Sequence, residues 1–560
     1  MSVASAPCTM SSTRGRWTMV AVILGSGIVF LDTSVVNLAL KAMGEDLPHS
    51  LVGKLEGQSY VSNGYFLSLA ALLILAGALT DYHGRRRVFG LGLIGFGVTS
   101  LLCGVAWSLE WLAVFRVLQG AAGALLVPGS LAIITSSFAG EDQGRAFGIW
   151  AGASAATTIL GPLVGGLLVN SISWRAAFLI NLPFVLLAYF ATRRYVPESR
   201  NRDASAEFDW IGSLIVILAV GGLAFGTIRG QQLQWRDGWS FVSLAVGAAA
   251  TLLLPFYMSR RKNPLVPLDL FRSRNFSVTN LSTFVIYGAL YVVFFFMSVF
   301  LIGTLGYTEP AAGLAGIPGT VFLALFSTRF GKLAARYGPR LFMAVGPAIM
   351  GLGILWLARM PADSTPWRVG VEGGSLVPPA DYLVDLVPAM VVFGIGLMIM
   401  VAPLTTALMT SVPAERSGVG SAINNAISRV GAPLVGAVIF VAVASSFYGA
   451  VAEQAPGVDT SSRAFRADVA PLNPAPPEAG PGLARAIRES STRAFHLSIL
   501  VAAAMMFAGA AVNAFGIRNV KTAAQEPVPE PTIAPPPAAP ADPEEAKART
   551  PAPAPPEAPL

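Results

Sequence analysis

Fourteen apolar stretches follow one another along this 560-residue chain, and they restrict its fold more than any other feature. They run over residues 17–40, 56–80, 88–107, 111–135, 144–170, 174–192, 210–229, 240–258, 276–304, 310–330, 339–358, 383–407, 418–447 and 495–517. A hydrocarbon core about 30 Å thick takes about 20 residues of helix to cross, and each stretch is of that order or longer. Only helices and closed barrels satisfy every backbone N–H and C=O within lipid. Long runs without two-residue alternation select the helix. Apolar side chains make up 54% of the sequence and charged ones 12%, against about 25% charged in soluble proteins. A water-soluble enzyme could not cover its surface with so few charges. The expected class is an all-α polytopic membrane protein with 14 spans.

The net charge of +7 does not point to nucleic acid, because the basic residues sit in short loops between the runs. There they set topology. With the N-terminus inside, the inner segments hold 24 of the 38 Lys and Arg and the outer ones 12; Arg116 and Arg429 lie within runs. The bias places both termini in the cytoplasm of a cell membrane. The first run is longer than the apolar region of a signal peptide and lacks a convincing cleavage site, so it reads as a retained helix. Cys8 and Cys103 form no framework, and His49, His83 and His496 are scattered, so neither a disulfide nor a metal site is expected. No G-x-x-x-x-G-K-[ST] is present, so no ATP-binding module is expected and transport, if any, is secondary.

Two segments are not spans. Residues 518–560 are rich in Pro and Ala, and the last forty residues hold 13 of the chain's 40 Pro. Such a tail cannot bury a core and is expected to be disordered. An outer loop is expected at about 449–494, with at most a short helix near Leu483–Arg488.

Charge inside hydrocarbon is costly and calls for a reason. Three charged residues lie deep in the runs: Asp32, Arg116 and Arg429. Asp32 and Arg116 sit at similar depth from the outer ends of runs 1 and 4, so they can meet. Either they form a proton-coupling pair or they are a static pair that neutralises two buried charges. Arg429 has no acidic residue at hand in the second half; it lines a cavity or is satisfied by Asn424, Asn425 or backbone carbonyls. Tyr287 and Tyr291, one helical turn apart, are candidates to line a cavity for an apolar or cationic substrate, as are Asn37 and Tyr65. Most of the other aromatics in run 9 read as packing or lipid-facing surface.

The loop after run 2 reads GALTDYHGRRRVFG. It resembles the signature loop of the major facilitator superfamily, G-x-L-x-D-x-x-G-R-R-R, with Gly77, Asp81, Gly84, Arg85, Arg86 and Arg87 in register and Tyr82 where a basic residue is usual. LDTSVVNLAL in run 1 resembles the pattern of the fourteen-helix drug:proton antiporters. RVLQGAAGALLVPG in run 4 resembles that family's Arg-x-x-Gln-Gly motif at Arg116, Gln119 and Gly120. GPLVGG in run 5 resembles the antiporter motif at Gly161, Pro162, Gly165 and Gly166, although Thr157 stands where a Gly is often seen. WRAAFLINLP, RYGPR and GSAINNAISRVGAPLVG are also similar to segments of that subfamily.

The resemblance implies two six-helix bundles, residues 17–192 and 276–517, with two inserted helices at 210–258 and a cytoplasmic segment at 1–16. It implies a latch between Asp81 and Arg85 on the cytoplasmic side, and a bend in run 5 at Pro162 that helps form a gate. The implied activity is proton-driven export of lipophilic, including cationic, small molecules by a monomer in the lipid bilayer. There is no catalytic residue, no cofactor and no metal in this reading. Export of an endogenous metabolite, lipid or self-made antibiotic is the alternative within transport. A membrane acyl or glycosyl transferase would need a clustered His, Asp or Glu site at a membrane face, and the sequence shows none; a receptor without flux is the third reading.

Overall fold

The computed structural model describes residues 8–48, 54–200, 208–232, 235, 237–369, 375 and 377–519. The proposed disordered tail from residue 520 lies outside the described residues. Fourteen helical segments account for the runs: α1 Thr13–Asp46, α2 Lys54–His83, α3 Arg85–Gly104, α4 Leu109–Ser137, α5 Gly140–Ser171, α6 Ala176–Tyr195 and α7 Trp210–Gln232. They continue as α8 Gly238–Ser259, α9 Arg274–Leu305, α10 Glu309–Tyr337, α11 Arg340–Arg359, α12 Tyr382–Thr410, α13 Ser417–Gln454 and α14 Pro481–Gly516. Thirteen are long and apolar enough to cross a membrane. The remaining one, α5, spans 32 residues. No strand occurs among the described residues.

Local sequence starts several of these helices. Ser12 accepts from the Gly15 amide at 3.0 Å and Ser108 from the Trp111 amide at 3.4 Å, so each caps its helix. Gly84 lies between α2 and α3 with φ +107°, and Gly338 lies between α10 and α11 with φ +86°. Residues with a Cβ rarely adopt these angles, so glycine permits both tight turns.

Some helices run past the apolar stretches that announce them. The helix α13 continues to Gln454 and α14 begins at Pro481, so the connection covers 455–480 rather than about 449–494. Leu483–Arg488 forms the first turns of α14, not a separate helix. The extensions are polar and tied by ion pairs: Arg493–Glu453 at 3.1 Å joins α14 to α13, and Arg485–Glu489 at 2.7 Å braces α14. Water beyond the bilayer solvates such turns, so hydropathy ends before the helix does.

Two large apolar clusters make up most of the core among the described residues. Leu69, Phe89, Phe96, Leu126 and Phe147 belong to a cluster centred on α1–α6. Phe296, Phe300, Phe393 and Phe495 belong to one centred on α9–α14, where the Phe300 and Phe495 rings stack at 4.1 Å. The inserted helix α7 packs against α2 and α13, and α8 packs on α7. Phe241, Leu252 and Phe256 of α8 are exposed, as suits a helix facing lipid. Asp209 caps α7: it accepts from the Gly212 amide, the Tyr257 hydroxyl and the Leu265 amide, fastening α7 to the end of α8.

The bundles touch closely near the α2–α3 turn, here termed the basic end. There α2 meets α13 and α5 meets α10. A Cβ on Gly77 would lie 2.4 Å from the Gly418 carbonyl oxygen, and a Cβ on Gly331 would lie 2.3 Å from that of Gly144. Only glycine lets these backbones approach so closely.

Candidate functional site

Three polar groupings stand out against the apolar bundles. The first is enclosed in α1, α3, α4 and α6. Arg116 donates to Asp32 at 2.5 Å and to Gln119 at 2.7 Å. Gln119 and Asn181 each donate to the second Asp32 oxygen, at 3.1 and 3.2 Å. Ser100 accepts from both amides and donates to the Phe178 carbonyl. Arg116 also donates to the Val61 carbonyl and lies 4.0 Å above the Tyr65 ring. Asp32, Gln119 and Asn181 are completely buried and Arg116 nearly so. Removing one partner of a pair this enclosed costs about 3–5 kcal/mol, because a buried charge is left without its counter-ion. Gly120 holds the cluster together from behind: a Cβ there would sit 2.3 Å from the Tyr65 carbonyl oxygen.

The structure thus brings Asp32, Arg116 and Gln119 together. Sequence reasoning missed Asn181 and Ser100 as members. Asn181 lies within WRAAFLINLP, and a lone amide in that apolar run was the available signal. Its Oδ1 is a buried acceptor with no hydrogen-bond partner among the described residues.

The second grouping closes the basic end. Asp81 accepts from the Gly418 and Val419 amides at 3.0 and 2.9 Å, which are the open donors of the first turn of α13. The carboxylate also faces the positive end of that helix dipole. Arg85 bonds Asp81 at 3.2 Å, donates to the Ala414 carbonyl and reaches Ser199 at 3.4 Å. Arg86 and Arg87 take a different partner, Glu198, each at 3.7 Å. Glu198 also accepts from the Arg86 amide at 3.1 Å. The three arginines therefore divide: Arg85 lies buried beside Asp81, while its neighbours fasten the segment that follows α6.

The third is a cavity of about 590 Å³ between α2, α7, α9 and α13. Tyr291 and Arg429 line it, together with Asn63, Phe66, Gln231 and Phe295. The other cavity candidates lie elsewhere. Tyr65 is buried beneath Arg116, with its hydroxyl on the Val29 carbonyl. Asn424 donates to Asn280 and Thr283 of α9, and Asn425 to the Ser421 carbonyl. Asn37 accepts from Ser62. Tyr287 is not among the walls. Tyr65, Asn424 and Asn37 thus tie neighbouring helices together, while Asn425 bonds within its own helix.

The antiporter motif lies on α5 where it crosses α1. A Cβ on Gly161 would meet Ser34 at 2.4 Å, and one on Gly165 would meet the Val35 Cα at 3.1 Å. The backbone is helical through Pro162 and Gly166; the surroundings of those two side chains lie outside the described residues. No group of three or more potential metal ligands occurs among the described residues.

Comparison with known proteins agrees with this architecture. The family model described as Major Facilitator Superfamily matches residues 22–436. The multidrug resistance protein Stp of Mycobacterium tuberculosis (strain CDC 1551 / Oshkosh) is 32% identical over 75% of this chain and 74% of its own. The tetracenomycin C resistance and export protein of Streptomyces glaucescens is 31% identical over 90% of this chain and 92% of its own. Among solved structures, the proton:xylose symporter XylE bound to 6-bromo-6-deoxy-D-glucose superposes with a TM-score of 0.54 at 14% identity, covering 89% of this chain and 94% of that one. Two bundles, an enclosed polar cluster and a cavity of binding size fit the architecture of that family. The chain belongs to the major facilitator superfamily.

Proposed function

We propose that this protein exports lipophilic small molecules in exchange for protons, by alternating access, with the basic end in the cytoplasm. The observation that carries the reading is the enclosure of Asp32. Every hydrogen-bond partner of its carboxylate is a donor: Arg116, Gln119 and Asn181. Such donors occupy both carboxylate oxygens and leave no acceptor for the hydrogen of an added proton. Taking up a proton therefore requires some of them to turn away, and they stand on α4 and α6. Proton occupancy and the packing of three helices are in this way linked. Rotating the Asn181 amide would offer its unpartnered Oδ1 to the hydroxyl of a protonated Asp32. The closed basic end, with the 590 Å³ cavity further along α2 and α13, is the arrangement expected when substrate leaves on the opposite side.

Asp32→Asn keeps the size and removes the titrating group. In proteoliposomes it should abolish pH-gradient-driven accumulation while retaining substrate binding and downhill exchange. Full pH-gradient-driven transport by this variant would show that coupling does not run through Asp32. A second reading within transport is export of one endogenous product; it is favoured by the Streptomyces glaucescens relative, which is named for resistance to and export of tetracenomycin C. A narrow substrate range in the same assay would select it.

A further inference from the structure

We propose that the cavity between α2, α7, α9 and α13 binds the acidic group of an amphipathic organic anion, with Arg429 as its counter-ion. The inference deepens the exporter reading, on which it rests for the anion's being cargo; binding itself does not depend on proton coupling.

Arg429 lies twelve residues into α13, which places it about 18 Å from the basic end, near mid-membrane. Three arginines stand out in or beside the spans, and two are committed. Arg116 holds Asp32, and Arg85 holds Asp81. Arg429 has no hydrogen bond or ion pair among the described residues, and the polar groups that act on it electrostatically are the phenols of Tyr65 and Tyr287. It is the one charged residue of the cavity wall. Both deep carboxylates are engaged: Asp32 by Arg116, Gln119 and Asn181, and Asp81 by Arg85 and the amides of α13. A cation at this depth is costly without an anion beside it, and no side chain of the cavity supplies one.

The rest of the wall describes the ligand's body. Tyr291 and Phe295 stack face to face, with centroids 5.6 Å apart and planes at 7°. Phe66 and Ile228 add apolar surface from α2 and α7. Gln231 is already used: it accepts from the Tyr291 hydroxyl at 3.0 Å and donates to the Pro433 carbonyl at 3.4 Å. Arg429 is left as the cavity's uncommitted donor group. A guanidinium presents paired N–H groups that match a carboxylate, sulfonate or phenolate in one plane. A cationic compound would meet like charge at the same place. The ligand is therefore an apolar or aromatic body bearing one acidic group.

The test uses the full chain in nanodiscs and two xanthene dyes of opposite charge, anionic fluorescein and cationic pyronin Y, read by fluorescence polarisation. Wild type should bind fluorescein saturably and prefer it to pyronin Y. Arg429→Gln should weaken fluorescein by about tenfold or more, the value of a charge-assisted hydrogen bond, and should leave pyronin Y equal or tighter. Arg429→Lys should restore part of the fluorescein affinity. Preference of the wild type for pyronin Y, or fluorescein binding unchanged in Arg429→Gln, would overturn the proposal. The wild-type preference decides the sign of the site even where a variant does not fold. Asp32→Asn separates the two readings: if it still couples transport to the pH gradient while fluorescein binding depends on Arg429, the proton-coupling assignment fails and this one stands.

Discussion

The two contacts that close the basic end are built on the same backbone plan and finished differently. In α2, Gly77 stands seven residues before the turn glycine Gly84; in α10, Gly331 stands seven before Gly338. Gly77 packs on Gly418 of α13, and Gly331 packs on Gly144 of α5. Three residues before each turn glycine the plans part. Asp81 reaches across to the amides that open α13. Its counterpart is Ala335, which packs against Gly144. The residue after the turn is Arg85 in the first case and Pro339 in the second. The α5–α10 contact is instead held by a neutral bond, Ser327 to the Gly148 carbonyl at 2.8 Å. Close helix approach is thus common to both sides, while among the described residues a carboxylate bonds across the contact only on the α2–α13 side. The α2–α13 side can be opened by neutralising a carboxylate; the α5–α10 side offers no such handle.

The largest effect is expected where the two sides agree. Gly77→Val and Gly331→Val both place carbon against a backbone oxygen, and neither neighbour can yield without separating the helices. Overpacking of this kind costs about 1–3 kcal/mol. That shifts the balance between closed and open basic ends by about fivefold to about 150-fold. Both variants should lose transport to a similar degree, and cysteines placed along α2 near residue 77 should become labelled from the basic side. A full transport rate in one variant only would mean that the two contacts are not equivalent closing surfaces.

A smaller effect is expected where they differ. Asp81→Asn removes the charge that faces the first turn of α13 and the partner of Arg85. A cap and a dipole interaction together are worth about 1–2 kcal/mol, so the closed end should be disfavoured by about tenfold and turnover slowed. Arg85→Ala should act in the same direction. The double variant should be no worse than the worse single one, because the two residues serve one latch. Strictly additive losses would separate them and break the contrast with the neutral side.

Much of this was legible in the residues. The series of membrane-length helices was, thirteen of them among the described residues, because run length and charge depletion record the bilayer directly; the end of α13 and the start of α14 were not, because those turns are polar helix braced by ion pairs such as Arg493–Glu453. That Asp32 can meet Arg116 was readable from their similar depth, and the structure pairs them. The pair's completion by Ser100 and Asn181 was not, since an uncharged polar residue barely changes the hydropathy of its run. Glu198 escaped because its pairing with Arg86 and Arg87 depends on the path of the chain after α6. The repeat of seven residues from Gly331 to Gly338 was readable beside Gly77 and Gly84 and would have announced the second closing contact. The cavity was the least legible part. Its walls include α7, and nothing in a sequence of spans says against which seam an inserted helix will lie. Tyr287 and Tyr291 looked alike on one turn, yet only Tyr291 finds α7, through Gln231.

The smallest expected effect tests whether the neutral side has any latch at all. Ser327 is completely buried in α10, and its hydroxyl donates to the Gly148 carbonyl of α5. That carbonyl belongs to a helix, so it already accepts from the amide four residues on and is not orphaned when the serine is lost. Ser327→Ala therefore removes a bond without leaving an unsatisfied group, and such a bond is worth about 1 kcal/mol. The closed-to-open ratio should fall by about fivefold at most, against the larger shift from Asp81→Asn. Transport should stay close to wild type while labelling of a cysteine near Gly144 rises slightly. A loss as large as that of Asp81→Asn would make Ser327 a latch in its own right, and the two closing contacts would then differ in chemistry but not in strength.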